Sequence, residues 1–168
     1  MVAKGTHRQR AKSNEPTIEN RRARRDYVIE ETLECGIRLV GSEVKSVRDG
    51  QVSLAEGYVR ASEDPIALEL HGVHVAEYPP AGASRQHNPT RMRALLAQKR
   101  EIRKLADRTR AKGTTIIPLK MYFVNGRVKI LVGIARGKRR ADKREDLSKR
   151  EAQREMDRAM SKRGGSRG

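Results

Sequence analysis

The chain changes character abruptly at Gly137, and this change limits the part of it that can build a core. Residues 127–136 alternate like a β-strand, whereas residues 137–150 read GKRRADKREDLSKR and are almost entirely polar. From Asp142 onward, opposite charges recur at helical spacing, which favours a helix. We expect residues 137–168 to be a basic tail that is disordered alone and becomes helical against a large anionic surface. A merely solubilising tail is the commoner explanation of a charge run, but it does not need such pairing.

The positive charge of the chain points to a polyanionic partner. The 168 residues carry a formal charge of +17. Residues 1–25 hold eight Lys or Arg against two Glu, and residues 137–168 hold twelve against six acids. This balance favours nucleic acid. A membrane surface is the alternative, but neither end has the Leu, Phe or Trp stripe of an interfacial helix, so we expect no membrane partner.

The cysteine content indicates the compartment. Cys35 is the single cysteine, so no disulfide framework exists, and the chain opens without an apolar signal segment. Both features are typical of a reducing environment. We therefore expect a cytoplasmic protein and a monomer.

The middle of the chain, residues 20–136, alternates like an antiparallel β domain, and residues 1–19 before it form an arm without periodicity that we expect to be disordered. Apolar residues fall at odd positions from Tyr27 to Leu39, with Gly36 as a candidate bend. Asn125-Gly126 is a two-residue hairpin turn. The predicted elements are strands over 27–40, 52–61, 66–75, 114–124 and 127–136, and a short helix over 43–49 capped by Ser42.

A longer helix is predicted to begin at Asn88-Pro89 and to end at Lys112-Gly113, because Asn is a good N-cap and Pro suits the first turn. Its apolar face contains Met92, Leu95, Leu96, Ile102, Leu105 and Ala106. Its outer face carries six cations, namely Arg91, Arg93, Lys99, Arg100, Arg103 and Lys104.

About six strands, two helices and short antiparallel connections predict a mainly β fold: a small OB-like antiparallel barrel with flanking helices. Such barrels commonly bind RNA. Aromatic residues that stack bases are scarce, so we expect contacts to phosphate and sugar to dominate. His71 and His74 would lie on opposite faces of a strand, which argues against a metal site.

Nothing in the chain resembles a catalytic constellation. Residues 133–139, GIARGKR, are one residue short of a phosphate loop and lack its Ser or Thr. We therefore predict a binding protein without enzymatic activity, cofactor or metal. A structural protein of the ribosome, which is also basic and small, remains the alternative.

Seven short segments, in this order, resemble the SmpB family, the SsrA-binding proteins. They are NRRAR at 20–24, EVKS at 43–46, PTR at 89–91, KREI at 99–102, PLKMY at 118–122, GKR at 137–139 and DKR at 142–144. The resemblance implies a barrel that binds the tRNA-like domain of transfer-messenger RNA (tmRNA). It also implies a tail that enters the decoding region and empty mRNA channel of the small subunit of stalled ribosomes, for trans-translation.

The resemblance also implies particular site residues. Its RNA-binding positions fall on Asn20, Glu34, Leu96 and Gln98, and a carboxylate such as Glu34 can accept from a base amine or ribose hydroxyl, as Lys cannot. From charge alone we add Arg22, Arg24, Lys45, Arg91 and Arg93. The tail positions matching the ribosome-binding motif are Gly137, Lys138, Asp142, Lys143 and Arg144.

Overall fold

The structure, a computed structural model, describes residues 15–164, which contain nine β-strands and four α-helices. The strands are β1 Ile18–Glu19, β2 Tyr27–Ile37, β3 Val52–Ser53, β4 Tyr58–Glu63, β5 Ile66–His71, β6 His74–Val75, β7 Arg93–Leu96, β8 Thr114–Val124 and β9 Arg127–Gly137. The helices are α1 Arg21–Asp26, α2 Gly41–Arg48, α3 Lys99–Thr109 and α4 Arg140–Gly164.

Six of the strands form a closed antiparallel barrel. They pair in the order β8-β4-β5-β7-β2-β9, and β9 returns to β8 to complete the ring. β1 adds to β8 beside Met121, and β3 pairs with β6 in a separate small sheet. A closed ring avoids long unpaired strand edges. The predicted fold class, an OB-like barrel of about six strands with flanking helices, is confirmed.

The hairpin of β8 and β9 forms where the sequence predicts it. Asn125 and Gly126 have φ values of 53° and 75°, a left-handed backbone that these two residue types adopt readily. β9 pairs along its length with β8 on one side and β2 on the other. Because side chains alternate along a strand, Ile130 and Val132 are fully buried while Lys129 and Leu131 face outward. These three strands make the outer wall described below.

The core is aliphatic, as the scarcity of aromatic residues requires. Leu70, Ile116 and Met121 are completely buried in it, and each such side chain contributes on the order of 2 kcal/mol by leaving water. α3 packs its own buried side chains, Ile102, Leu105 and Ala106, towards the strands. Its polar side is held by ion pairs of Lys104, Arg108 and Arg110 with Glu31, Glu30 and Glu63.

The prediction of one long helix over residues 88–113 is wrong for its first half. Residues 93–96 form β7, which pairs with β5 and with the end of β2, and α3 begins only at Lys99, after Gln98. The backbone N–H of Gln98 donates to Glu101 Oε2 at 2.8 Å, which supports this later start. The predicted apolar face therefore divides: Leu96 is half exposed on a strand.

Smaller differences concern the ends of elements. α1 was not predicted, and α2 begins at Gly41 rather than after Ser42. β2 ends at Ile37, and its irregularity lies between Ile29 and Glu31 rather than at Gly36. Strand 52–61 divides into β3 and β4, and strand 66–75 divides into β5 and β6.

The two ends of the chain differ from the predicted boundaries. Residues 15–19 were assigned to the arm, but Ile18–Glu19 is strand β1 and Glu15 lies 3.6 Å from Arg48. The rest of the predicted arm, residues 1–14, lies outside the described residues. Within the predicted tail, α4 spans Arg140–Gly164; that the tail is disordered alone and helical when bound stays a prediction. Within residues 15–164, no helix is both long and apolar enough to cross a membrane.

Candidate nucleic-acid interface

Glu34 lies on the outer wall of the barrel, held by side chains from two neighbouring strands. The hydroxyl of Tyr122 on β8 donates to Glu34 Oε2, and the Lys129 ammonium on β9 lies 3.5 Å from Oε1. The Lys120 ammonium stands 5.0 Å from the centroid of the Tyr122 ring. Glu34 remains 46% exposed. The carboxylate is thus fixed in position while part of it faces solvent.

The contacts of Glu34 also set its charge. The hydrogen bond from Tyr122 holds the pKa of the Glu34 carboxyl below its usual range, and Lys129 acts in the same direction. Burial and the hydrogen bond to Glu34 raise the pKa of Tyr122 to about 12. At neutral pH the pair is therefore a carboxylate and a neutral phenol. The carboxylate keeps lone pairs that can accept from an amine or a hydroxyl of a ligand.

Leu96 is brought beside Glu34 by strand pairing. Gly36, two residues along β2, is the Cα partner of Leu96 on β7. A Cβ atom on Gly36 would lie 3.3 Å from Leu96 Cβ, so the glycine lets Leu96 rest closely on β2. Leu96 is 52% exposed and borders an open groove of about 400 Å³ that Lys129 also lines. Gln98 follows, with an exposed side chain. Two of the predicted RNA-binding residues, Glu34 and Leu96, thus occupy one region, and Gln98 lies two residues further along the chain.

A cationic strip extends this region along the barrel. Lys120 and Leu131 border a second cavity, of about 230 Å³, together with Arg21 and Arg24 of α1. Lys129 and Leu131 alternate outward on the same strand, so the groove at Leu96 and the cavity at α1 adjoin one wall. The predicted residue Arg24 belongs to this strip. We call the wall from Leu96 to Arg24 the Glu34 face.

Asn20, a predicted RNA contact, makes hydrogen bonds within the protein. Its Oδ1 accepts from the backbone N–H of Ala23 at 3.2 Å, which caps α1. Its Nδ2 donates to the carbonyls of Leu54 and Pro118 at 3.1 and 2.9 Å. The residue is only 9% exposed. Asn20 borders the same cavity as Arg24 and Lys120, so its amide holds α1 beside the Glu34 face; a contact between Asn20 and RNA stays a prediction.

Arg93 was predicted to contact RNA, but its side chain has no exposed surface, so this prediction is wrong. It forms an ion pair with the equally buried Glu43, Nε to Oε1 at 2.8 Å. Arg91 also binds Glu43, with nitrogen–oxygen distances of 2.8 and 2.5 Å. Burial pushes the pKa of Glu43 upward, but hydrogen bonds from Arg91, Val40 and Arg93 outweigh it and keep that pKa below its usual range. Arg93 is therefore excluded as an RNA contact. The guanidinium of Arg91 is largely occupied by its hydrogen bonds to Glu43.

Lys45 and Arg22 lie away from the Glu34 face. On α2, Val44 lines the groove at Leu96, whereas Lys45 lines a different cleft of about 690 Å³. There its ammonium stands 5.2 Å from the centroid of the Tyr78 ring. Arg22 binds Glu56 at 2.7 Å, at an exposed position beside β4. The structure does not bring these two cations together with Glu34.

The predicted tail motif begins inside the folded body. Gly137 is the last residue of β9 and pairs with Tyr27. The backbone N–H of Lys138 donates to the Asp26 carbonyl at 2.9 Å, and its ammonium donates to the Arg24 carbonyl at 2.8 Å. Asp142 accepts from the backbone N–H of Arg139 at the start of α4. Of the other predicted tail residues, Arg144 is exposed and the side chain of Lys143 lies outside the described part of the chain.

Tyr122, Lys129 and Lys120 are site residues that the sequence analysis did not name. The alternation of side chains along the hairpin indicates their orientation: if Met121 and Ile130 face the core, then these three side chains face outward. What the pattern lacks is the pairing register. Only the register places residues of β8 and β9 around Glu34 of β2.

A closed six-stranded barrel with a cationic outer wall and a basic helical extension defines an OB-like barrel of the nucleic-acid-binding class. The family model described as SmpB protein matches residues 17–162. The chain therefore belongs to the SmpB family.

Individual relatives agree with this assignment. The SsrA-binding protein of Roseiflexus sp. (strain RS-1) is 48% identical over 124 residues, which are 74% of this chain and 77% of the relative. The SsrA-binding protein of Lactobacillus delbrueckii subsp. bulgaricus (strain ATCC BAA-365 / Lb-18) is 46% identical over 80% of this chain and 86% of its own. A chain of the solved structure described as "tmRNA-SmpB: a journey to the center of the bacterial ribosome" has a TM-score of 0.63 and 45% identity, covering 79% of this chain and 94% of that chain.

Proposed function

We propose that this protein binds tmRNA through the Glu34 face and brings it to stalled ribosomes for trans-translation, with the tRNA-like domain as the bound part. The observation that carries the proposal is the arrangement of Glu34 itself. A carboxylate that stays ionised, oriented by Tyr122 and paired with Lys129, is a hydrogen-bond acceptor on a cationic surface. Family membership and the SsrA-binding relatives support the choice of RNA.

The residues of the Glu34 face divide the work of recognition. Lys129, Lys120 and Arg24 attract phosphates and set the position of the RNA, without reading its sequence. Glu34 adds an acceptor that only a correctly placed amine or hydroxyl can satisfy. Leu96 offers an exposed apolar surface for a sugar or base, and Gln98 offers a donor and an acceptor beside it. RNA shape therefore decides binding more than base sequence does.

The tail has a separate role in this proposal. Fifteen of the 25 residues of α4 are charged, and the large apolar residues that it exposes include Leu147, Met156 and Met160. Such a helix has little to pack against within its own protein, whereas the RNA walls of an empty mRNA channel would attract its cations. We place the protein in the cytoplasm, with the ribosome, and assign it no enzymatic activity.

A competition gel shift tests the RNA-binding proposal. The purified protein is titrated with the tRNA-like domain of tmRNA, with an elongator tRNA as competitor, at low and at moderate salt. Phosphate contacts alone would make both RNAs bind alike and weaken together as salt rises. We expect the tRNA-like domain to bind more tightly and to keep its advantage at the higher salt.

A matched pair of variants locates the interface. Glu34→Gln and Glu63→Gln remove the same negative charge, and Glu63 is bound to Arg110 away from the Glu34 face. Net charge alone predicts slightly tighter RNA binding for both. We expect Glu34→Gln to weaken binding of the tRNA-like domain by roughly tenfold, since a hydrogen bond to a charged group contributes about 1.5 kcal/mol, and Glu63→Gln to leave it unchanged. Equal affinities of the two variants would remove Glu34 from the site.

A further inference from the structure

Two stacked aromatic rings lie on the outer surface of β4 and β5, across the barrel from the Glu34 face. Tyr58 and His71 are cross-strand partners, with ring centroids 5.2 Å apart and planes inclined by 13°. One face of the Tyr58 ring rests on His71, and Tyr58 as a whole is 50% exposed. In the order of the barrel strands, β4 lies opposite β2, which carries Glu34.

The stacked pair is held in place by its surroundings. His71 Nε2 lies 3.2 Å from Glu69 Oε2, which fixes the plane of the imidazole. The backbone beside each ring is tightly packed: a Cβ on Gly57 would lie 2.6 Å from a methyl of Val73, and one on Gly72 would lie 2.5 Å from the Glu56 carbonyl oxygen. A ring that is already fixed loses little conformational freedom when a ligand stacks on it.

Cations flank the exposed ring. Arg22 of α1 and Tyr58 border the same cavity of about 270 Å³. Arg22 is bound to Glu56 at 2.7 Å, but their side chains are 58% and 77% exposed, and ion pairs so open to water contribute little. A phosphate can therefore replace Glu56 on the guanidinium. Arg60 alternates outward on β4 next to Tyr58.

We propose that Tyr58 is a stacking platform for an unpaired RNA base and that Arg22 binds a phosphate of the same strand. An aromatic ring accepts the flat face of any base, and neighbouring cations hold the backbone, which is how single-stranded RNA is commonly bound. The inference rests on the proposed function only in its choice of RNA as partner; the platform itself lies outside the Glu34 face. A cross-strand pair that only stabilises the β4–β5 hairpin makes a different prediction, because it requires no ligand.

The test compares two RNA probes of equal charge. One is a hexamer of adenylates, and the other is a hexamer of the same length whose nucleotides lack bases. We expect the wild-type protein to bind the adenylate hexamer about tenfold more tightly, since stacking one base on an aromatic ring is an effect of this order. Tyr58→Leu should reduce adenylate binding to that of the abasic probe, and Tyr58→Phe, which keeps the ring, should not. Arg22→Gln should weaken both probes alike and flatten their salt dependence.

Controls separate the platform from folding and from the Glu34 face. Thermal unfolding of Tyr58→Leu and Tyr58→Phe shows whether both variants fold; if the Leu variant does not, Tyr58→Thr, which suits a strand and has no ring, takes its place in the comparison with Tyr58→Phe. Adenylate binding that is the same in the Leu and Phe variants would overturn the inference, and so would a wild-type protein that does not distinguish the two probes. Either result leaves the effect of Glu34→Gln on tmRNA intact, so failure of the platform is distinguishable from failure of the proposed function.

The source of the base is identified with the same Leu and Phe variants. They are titrated with full-length tmRNA and, separately, with isolated small ribosomal subunits. The RNA that loses affinity for the Leu variant but not for the Phe variant supplies the stacked base. Unchanged affinity for both partners would show that neither uses the platform and would overturn the proposal.

Discussion

The buried carboxylate of Glu43 holds together three parts of the chain that are distant in sequence, and Glu43→Gln tests its importance. Glu43 accepts from the backbone N–H of Val40 at 2.9 Å and from both arginines of residues 91–93. Arg93 in turn donates to the carbonyls of Val73, Pro89 and Arg91, at 2.8 to 3.0 Å. Replacing the carboxylate by an amide leaves a completely buried guanidinium without its counter-charge.

The expected loss of stability follows from this burial. Breaking a buried ion pair by removing one partner costs about 3 to 5 kcal/mol. Arg91 is 33% exposed and can turn to solvent, and glutamine retains one acceptor oxygen, so we expect about 3 kcal/mol for Glu43→Gln. For a chain of this size that is a fall in Tm of roughly 6 to 12 °C.

The contribution of Glu43 to stability depends on pH with a definite sign. The pKa of Glu43 is lower in the folded protein than its usual value, so its carboxylate stabilises the fold fully above the unfolded pKa of about 4.3. This contribution is lost as the pH falls through the lower, folded pKa. The stability difference between wild type and Glu43→Gln should therefore be constant near neutrality and narrow below about pH 4.

Urea denaturation at a series of pH values measures this difference. Glu56→Gln is the control, because its ion pair with Arg22 is exposed and the variant should stay within about 0.5 kcal/mol of wild type. A loss for Glu43→Gln below about 1 kcal/mol at neutral pH would contradict the assigned importance of the pair. A difference that does not narrow in acid would contradict its electrostatic origin.

Three further predictions concern the site, the tail and the core. Tyr122→Phe removes the hydrogen bond that lowers the pKa of Glu34, so an NMR titration should show a higher pKa for Glu34 in this variant. Its affinity for tmRNA should fall roughly fivefold. An unchanged pKa of Glu34 would contradict the contact. Truncation after Arg139 keeps the contacts of Lys138 with Asp26 and Arg24, so the truncated protein should still bind tmRNA. It should not support tagging on stalled ribosomes in a reconstituted translation assay. A large loss of RNA affinity would refute separate roles for barrel and tail. Burial raises the pKa of the Cys35 thiol to about 12, so a thiol reagent should label it only in denaturant; rapid labelling of the native protein would show that Cys35 is accessible.

The region where prediction failed shows what local patterns lack. Residues 88–98 have a helical start signal and helical spacing of apolar residues, yet 93–96 form a strand. These residues pair with β5 and β2, and Arg93 is buried against Glu43, 50 residues earlier. No pattern of neighbours identifies that partner. Without it, Arg93 is expected on a solvated helix face, where we placed it.

The candidate site was only partly predictable for the same reason. Glu34 was predicted as a site residue from the resemblance to the family. Its position on the exposed side of a strand does not distinguish it from an ordinary solvated residue. Asn20 came from the same source, but its amide is occupied by the carbonyls of Leu54 and Pro118. Which polar side chains are free for a ligand depends on such long-range partners.

Elements with local causes can be predicted from the sequence. The turn at Asn125-Gly126, the alternation of β8 and β9, the aliphatic core and the charged helical tail follow from backbone preferences and side-chain periodicity, which act between near neighbours. The closure of the barrel, the burial of Arg93 against Glu43 and the pairing register that brings Tyr122 and Lys129 to Glu34 emerge only in the folded chain. These depend on contacts between residues far apart in the chain, whose geometry exists only once the strands have paired.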